Sequence, residues 1–271
     1  MDSTWISERL ESEDEFARRM SELRARGWVF RGQSRLFKGL HPSIDRGPFG
    51  TLSRGAKLEL EKNSVKILRS VARSFAPGEE GSMESEFVAM AVLRHYLVPT
   101  RLLDWSGSPW TAAFFAVSTD VSEDGEIWAF DRKLYELRGR AQWRRWPETT
   151  QGRTGNPEDF LAELTAFDEI PPDWFACMFY PQSFPRQRAQ EGLYSLTANF
   201  GRDHAEAIQA LLADPEGHRR IMIPARLKPT LKELLLERFD VWRGSLMPDC
   251  AGASEIAKLV FETAVAAPTG H

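Results

Sequence analysis

The chain has 271 residues, with 35 Lys and Arg against 39 Asp and Glu and a net charge of -4, which excludes strong non-specific nucleic-acid binding driven by counterion release but not a local basic groove. A chain of this size can bury a full core, and one continuous domain over residues 1–271 is expected. Cys177 and Cys250 lie far apart, without Cys-x-x-Cys spacing or a neighbouring histidine cluster, so no disulfide framework or metal site is indicated and both read as buried thiols of a reducing cytosol.

The opening "MDSTWISERLESEDE" is polar and acidic, and no later run approaches the ~20 apolar residues of a membrane span. A soluble, cytoplasmic protein that does not engage a membrane is expected. Ser12 followed by Glu15 predicts a capping box, and Phe16, Met20 and Leu23 recur at helical spacing until Gly27. That helix delivers the chain to the strand "WVF" ahead of Arg31-Gly32-Gln33. The Gly/Pro-rich stretch that follows reads as an ordered loop anchored by Leu36, Phe37, Leu40 and Ile44.

Residues 54–75 place Leu58, Val65, Leu68, Ala72 and Phe75 on one helical face, and residues 83–97 make a second helix through Phe87, Met90, Ala91 and Leu93. The two are expected to pack together. Ser108 fits an N-cap and Pro109 the first position of a third helix, which carries Trp110, Ala113, Phe114 and Val117. A turn at Glu123-Asp124-Gly125 leads into the strand "EIWAFD". Residues 133–156 read as a surface insertion, and Asn156-Pro157 opens a helix with Phe160, Leu164 and Phe167. "WFACMFYP" and "GLYSLT" are predicted strands. A helix over 203–213, the strand "RRIMIPARL", a helix capped by Thr230 and Glu233, and a loop with a last helix complete the chain. Without regular βαβ alternation, this predicts an α+β fold, a mixed or mostly antiparallel sheet flanked by helices.

Four constellations can carry chemistry. Arg31, with Gln33, presents a planar fork suited to phosphate or carboxylate, and Gly32 allows close approach of a ligand; the plain alternative is a surface ion pair. In "RHYLVPTRLLDWSGSPW", His95, Thr100, Arg101, Asp104, Trp105, Ser106 and Ser108 crowd polar groups into an apolar stretch. Arg101 and Asp104 either line a cleft or pair to pin the loop, and Ser106-Gly107-Ser108 either receives an anion or caps a helix. "PRQRAQEGLYS" places Arg186, Gln187, Arg188, Gln190 and Glu191 before a strand, with a carboxylate or amide there as a candidate acting group or the whole as a solvated turn. His41, His204, His218 and His271 have no metal or triad spacing and read as surface or core residues.

The order "FRGQ", "HYLVPTRLLDWSGSPWTAAFFA", "RQRAQEGLYS", "SLMPDCAGASEIAKLV" resembles the FRG domain family of bacteria and their mobile elements, from about residue 28 to about 260. The departure is Leu97, where that family usually has glycine. A remoter resemblance is to ADP-ribosyltransferases of the arginine-serine-glutamate type: Phe30-Arg31-Gly32, then Ser106-Gly107-Ser108 with Ala112 to Ala116, then Gln187 to Glu191.

That resemblance implies an ADP-ribosyltransferase-like fold and NAD as co-substrate. Arg31, Gly32 and Gln33 would hold it with His95, Thr100, Arg101, Ser106 and Ser108, and Tyr96 or Trp105 would stack on its nicotinamide. A carboxylate is then needed, from Glu191 or Asp104, with Gln190 at the position of the family's glutamine; adjacent residues of a strand face opposite ways, so Gln190 and Glu191 cannot both face the site. The implied role is a toxin or phage-defence effector that modifies protein or nucleic acid and has a partner or antitoxin protein. The competing reading is a non-catalytic module that binds a nucleotide or a protein in the same cleft.

Overall fold

In the computed structural model, which describes residues 5–75, 85–143, 174–178 and 185–248, Ser12 caps helix α1 (Glu13–Ala25) by accepting from the Glu15 amide. Phe16, Met20 and Leu23 form its buried stripe. Glu15 reaches the Glu11 amide instead of the Ser12 amide, so only one half of the reciprocal box is made.

Seven strands, β1 (Ile6–Arg9), β2 (Trp28–Gln33), β3 (Leu103–Ser106), β4 (Gly125–Asp131), β5 (Phe175–Met178), β6 (Gly192–Thr197) and β7 (His218–Ile223), form one sheet in the order β1-β7-β4-β2-β3-β6-β5. Only β1 and β7 run parallel among these pairs; the others are antiparallel. The fold is α+β with a mixed, mostly antiparallel sheet, as expected from the sequence. β2 runs on through Arg31-Gly32-Gln33, because these pair with Trp128, Ile127 and Glu126 of β4.

Two strands escape a reading of local pattern. β1 is the polar "ISER", a margin strand whose partner residues on β7 begin at Arg219. β3 is four residues long and owes its extended form to β2 on one side and β6 on the other.

The helices cover both faces. α1, α4 (Pro109–Val117) and α8 (Lys228–Phe239) pack on one side through Phe16, Met20, Ala113, Phe114, Leu231 and Leu235. α5 (Arg132–Trp143) and α7 (His204–Leu212) cover the other with Tyr135, Ala205, Ile208 and Leu212. α2 (Arg54–Phe75) and α3 (Glu86–His95) close the β6–β5 end through Val65, Phe87, Met90 and Leu93. Each large side chain buried in this way contributes about 1.5–3 kcal/mol. Two short helices complete the set, α6 (Pro185–Ala189) and α9 (Arg243–Leu246).

Several expectations are corrected. The face that α2 buries is Lys57, Glu61 and Val65, while Leu58 and Leu68 are half-buried; Lys57 pairs with Asp45 at 2.7 Å and Glu61 with Arg101. In the 34–53 loop Leu40 and Ile44 are buried anchors, but Leu36 and Phe37 are exposed. The segment expected as a surface insertion begins as α5, whose Tyr135 hydroxyl accepts from the Cys177 amide at 2.8 Å in the core; residues from 144 to 173, with the helix expected at Asn156, lie outside the described residues. α8 starts at Lys228, not Thr230: Pro229 sits in its first turn, and Thr230 Oγ1 donates to the Leu227 carbonyl at 3.0 Å instead of capping the helix. Residues from 249 onward, including most of the expected last helix, are likewise outside the described set. Among the described residues no helix is long and apolar enough to cross a membrane.

Candidate functional site

β2 and β3 meet at a single pair, Phe30 with Ser106. Beyond it the strands part, and a cavity of about 450 Å³ opens in the notch, within the size range of small-molecule sites. Four arginines, Arg31, Arg46, Arg94 and Arg186, line it against one carboxylate, Asp104. In a chain of net charge -4, this concentrates positive potential where the sheet splits.

Arg31 reaches across the split. Its Nη1 donates to the Asp104 carbonyl at 2.7 Å and lies 3.9 Å from Asp104 Oδ2. The side chain is 13 % exposed, and its buried Nε has no hydrogen-bond partner. Burial first, then the neighbouring charges of Arg94 and Arg46, push its pKa down to about 10, against the pull of Asp104 and Glu126. A largely buried cation on a cavity wall is an arrangement that an anionic ligand would complete.

Arg94 grips Asp104 with Nε and Nη2, at 2.8 and 2.6 Å. Both bonds converge on Oδ2, and Oδ1 receives none among the described residues. Asp104 keeps 43 % of its side chain exposed and lines the cavity. The pairing raises the Arg94 pKa, with Asp104 the main cause and burial opposing. Arg46 is lowered by burial and by Arg94. Tyr194, also on the wall, has its hydroxyl pKa raised by burial and further by Asp104.

The cavity brings together Arg31, Gly32, Gln33, His95, Asp104, Trp105, Ser106 and Gln190 from the residues that the sequence singled out. Their roles are not all those expected. A Cβ on Gly32 would overlap the Ala112 carbonyl oxygen, so this glycine lets α4 seat against β2, not only a ligand. Ser106 Oγ donates to the Gln190 carbonyl at 2.7 Å and accepts from the Ser108 amide. Trp105 is fixed in the core, its Nε1 donating to Ser195 Oγ at 2.7 Å, which in turn meets His204 Nδ1. Gln190 Nε2 donates to the Leu246 carbonyl at 3.0 Å.

Five expected site residues lie elsewhere. Thr100 is buried under the 43–45 turn, its carbonyl accepting from the Ile44 amide. Arg101 pairs with Glu61, not Asp104, and lies 4.3 Å over the Phe200 ring; it braces α2 against the start of β3. Ser108 caps α4, its hydroxyl accepting from the Thr111 amide, and is off the cavity wall. The Gly107 and Ser108 amides are spent on the Glu191 carbonyl and Ser106 Oγ, which removes the Ser-Gly-Ser segment as an anion cradle. Tyr96 is 72 % exposed and off the cavity wall. Glu191 turns outward with φ +46 and pairs with Arg24 at 3.0 Å. Gln190 and Glu191 do diverge, but in the turn before β6, not within a strand.

Arg186 and Gln187, from the stretch before β6 that the sequence singled out, also line the cavity; sequence reasoning missed Arg46, Arg94 and Tyr194, and noted Leu97 only as a departure from the family pattern. Arg94 had a signal, since it directly precedes His95 in the last turn of an apolar helix. Arg46 had none that separates it from other loop arginines.

Leu97 departs from glycine without changing the turn. Its amide donates to the Arg94 carbonyl and the Val98 amide to the Leu93 carbonyl, the paired bonds of a Schellman cap. The leucine therefore sits at φ +64, a conformation that costs a non-glycine residue about 1 kcal/mol or more.

Residues 26–125 match the family model of the FRG domain. This chain carries an FRG domain. The match takes in Arg31, Arg46, Arg94, Asp104 and Ser106, so most of the charged cavity wall belongs to the FRG domain, while Arg186 to Tyr194 contribute from beyond it. No curated protein and no solved structure matches the chain. Among the described residues no group of three or more His, Cys, Asp or Glu side chains could hold a metal ion.

Proposed function

We propose that the cavity of this FRG domain binds NAD and that the protein is an ADP-ribosyltransferase-like enzyme acting on a macromolecule, with Asp104 as its carboxylate. The observation that carries this reading is the convergence of Arg31, Ser106 and Asp104 on one cavity. The residues fit the co-substrate: Arg31, Arg94 and Arg46 on the cavity wall supply charge for a pyrophosphate. When bound, NAD supplies a glycosidic bond whose cleavage releases nicotinamide and leaves positive charge on the ribose carbon for an acceptor nucleophile to quench.

The chain's own part is electrostatic. Arg94 holds Asp104 by Oδ2, which orients this cavity-lining carboxylate toward a developing positive charge. Glu191, committed to Arg24 outside, has no part in it. On this reading the enzyme works in the cytoplasm as a toxin or phage-defence effector.

The test incubates purified protein with labelled NAD and cell lysate, then digests with protease or nuclease to see which class of molecule holds the label. Wild type and Glu191→Gln are expected to transfer label, and Asp104→Asn to bind NAD without transfer. Absence of transfer, NAD consumption and calorimetric binding together would refute the proposal. A second reading, a non-catalytic nucleotide-binding module, is favoured by the two bonds that Arg94 already makes to Asp104; binding by wild type without transfer or consumption selects it.

A further inference from the structure

Five non-glycine residues among the described residues have positive φ: Leu97, Asp120, Glu191, Ala213 and Asp240. Ala213 and Asp240 end helices in the left-handed conformation, as Leu97 does at the Schellman cap of α3; aspartate tolerates that region, and Glu191 is tied to Arg24. Leu97 is the bulky apolar one of the five: it is 80 % exposed, and no burial offsets the backbone cost of a non-glycine residue there. It does line the cavity, one helical turn beyond Arg94, whose carbonyl its amide caps.

From this juxtaposition we infer that Leu97 is a ligand-contact residue, the apolar seat for the flat face of a nucleobase whose phosphates rest on Arg94 and Arg46. The inference deepens the NAD reading above and rests on it. The turn fixes where the side chain stands. A Schellman cap holds the backbone of its C′ residue in one conformation, so Leu97 projects at the cavity rim from a fixed backbone position. Arg94 anchors the phosphate end, because its guanidinium is already oriented by Asp104. The ligand that satisfies both ends has an anionic and a flat apolar part, which describes a nucleotide and not an inorganic anion.

The experiment measures melting temperature and calorimetric binding of NAD, AMP and inorganic pyrophosphate to the full chain, for wild type, Leu97→Gly, Leu97→Asn and Leu97→Met. Glycine and asparagine suit the left-handed turn and remove the apolar seat. They are expected to raise the melting temperature by about 2 °C and to weaken NAD and AMP roughly tenfold. Pyrophosphate binding should not change, and Leu97→Met should retain nucleotide affinity. If wild type binds NAD and Leu97→Gly binds it equally well, the assignment of Leu97 is overturned and the NAD reading stands. Equal loss of pyrophosphate, or a lowered melting temperature in both Leu97→Gly and Leu97→Asn, also overturns it, since Leu97 would then be structural. If wild type binds none of the three probes, both readings fall together.

Discussion

Replacing Arg31 by methionine should stabilise the protein while abolishing nucleotide binding. Burial holds the Arg31 pKa near 10 instead of 12.5, a gap equivalent to about 3 kcal/mol against the charged form at neutral pH. Methionine fills a similar length without that charge. It forfeits the hydrogen bond to the Asp104 carbonyl, a loss of about 1 kcal/mol, which leaves a net gain of about 2 kcal/mol and a melting temperature higher by about 4 °C. The sign has a second consequence. The folded pKa lies below the unfolded one, so above pH 10 the native state sheds the proton while the unfolded chain keeps it, and the advantage of methionine shrinks as pH rises from there. Thermal scans of both proteins at pH 7.5 and pH 10.5, with NAD calorimetry at the lower pH, test this. If Arg31→Met melts well below wild type at pH 7.5, Arg31 is a structural brace and the anion-site reasoning is wrong.

Two further outcomes follow from the core. His204 is fully buried, and burial, with Arg31 and His41 adding to it, pushes its pKa down to about 3; because the folded pKa is depressed, its contribution is complete above pH 6.5 and lost as pH falls toward 3, at about 1.4 kcal/mol per pH unit. Denaturant titrations of wild type and His204→Gln at pH 6.5 and 5 should therefore show wild type losing about 2 kcal/mol more than the variant, and parallel losses would refute the assignment. Gly32→Ala should cost about 3 kcal/mol or more, because the added methyl group meets the Ala112 carbonyl; a melting temperature equal to that of wild type would mean that α4 moves away freely.

Most elements were legible because helices are written in local spacing. Ser12 and Ser108 each cap a helix where the chain enters it, and Phe16, Met20 and Leu23 face the core as their spacing requires. β1 and β3 were not legible, since "ISER" and "LDWS" are too short and polar to declare a strand without their neighbours. The α2 face was misread for a related reason. Lys57 and Glu61 look solvated until Asp45 and Arg101 arrive to neutralise them in the interior.

The site divides along the same line. The sequence by itself determined the FRG domain match and the α+β class, because these rest on residue order and periodicity; that Arg31, Asp104 and Ser106 share one locality was only what the remoter resemblance implied. Only the tertiary structure decided which charge meets which. Arg101 goes to Glu61, 40 positions away, Asp104 goes to Arg94, Glu191 is drawn outward by Arg24, and Leu97 is held on the rim. The physical reason is that periodicity fixes which way a side chain points, whereas the partner it meets depends on how distant segments pack, and in the low-dielectric interior that partner decides whether a charge is braced or left for a ligand.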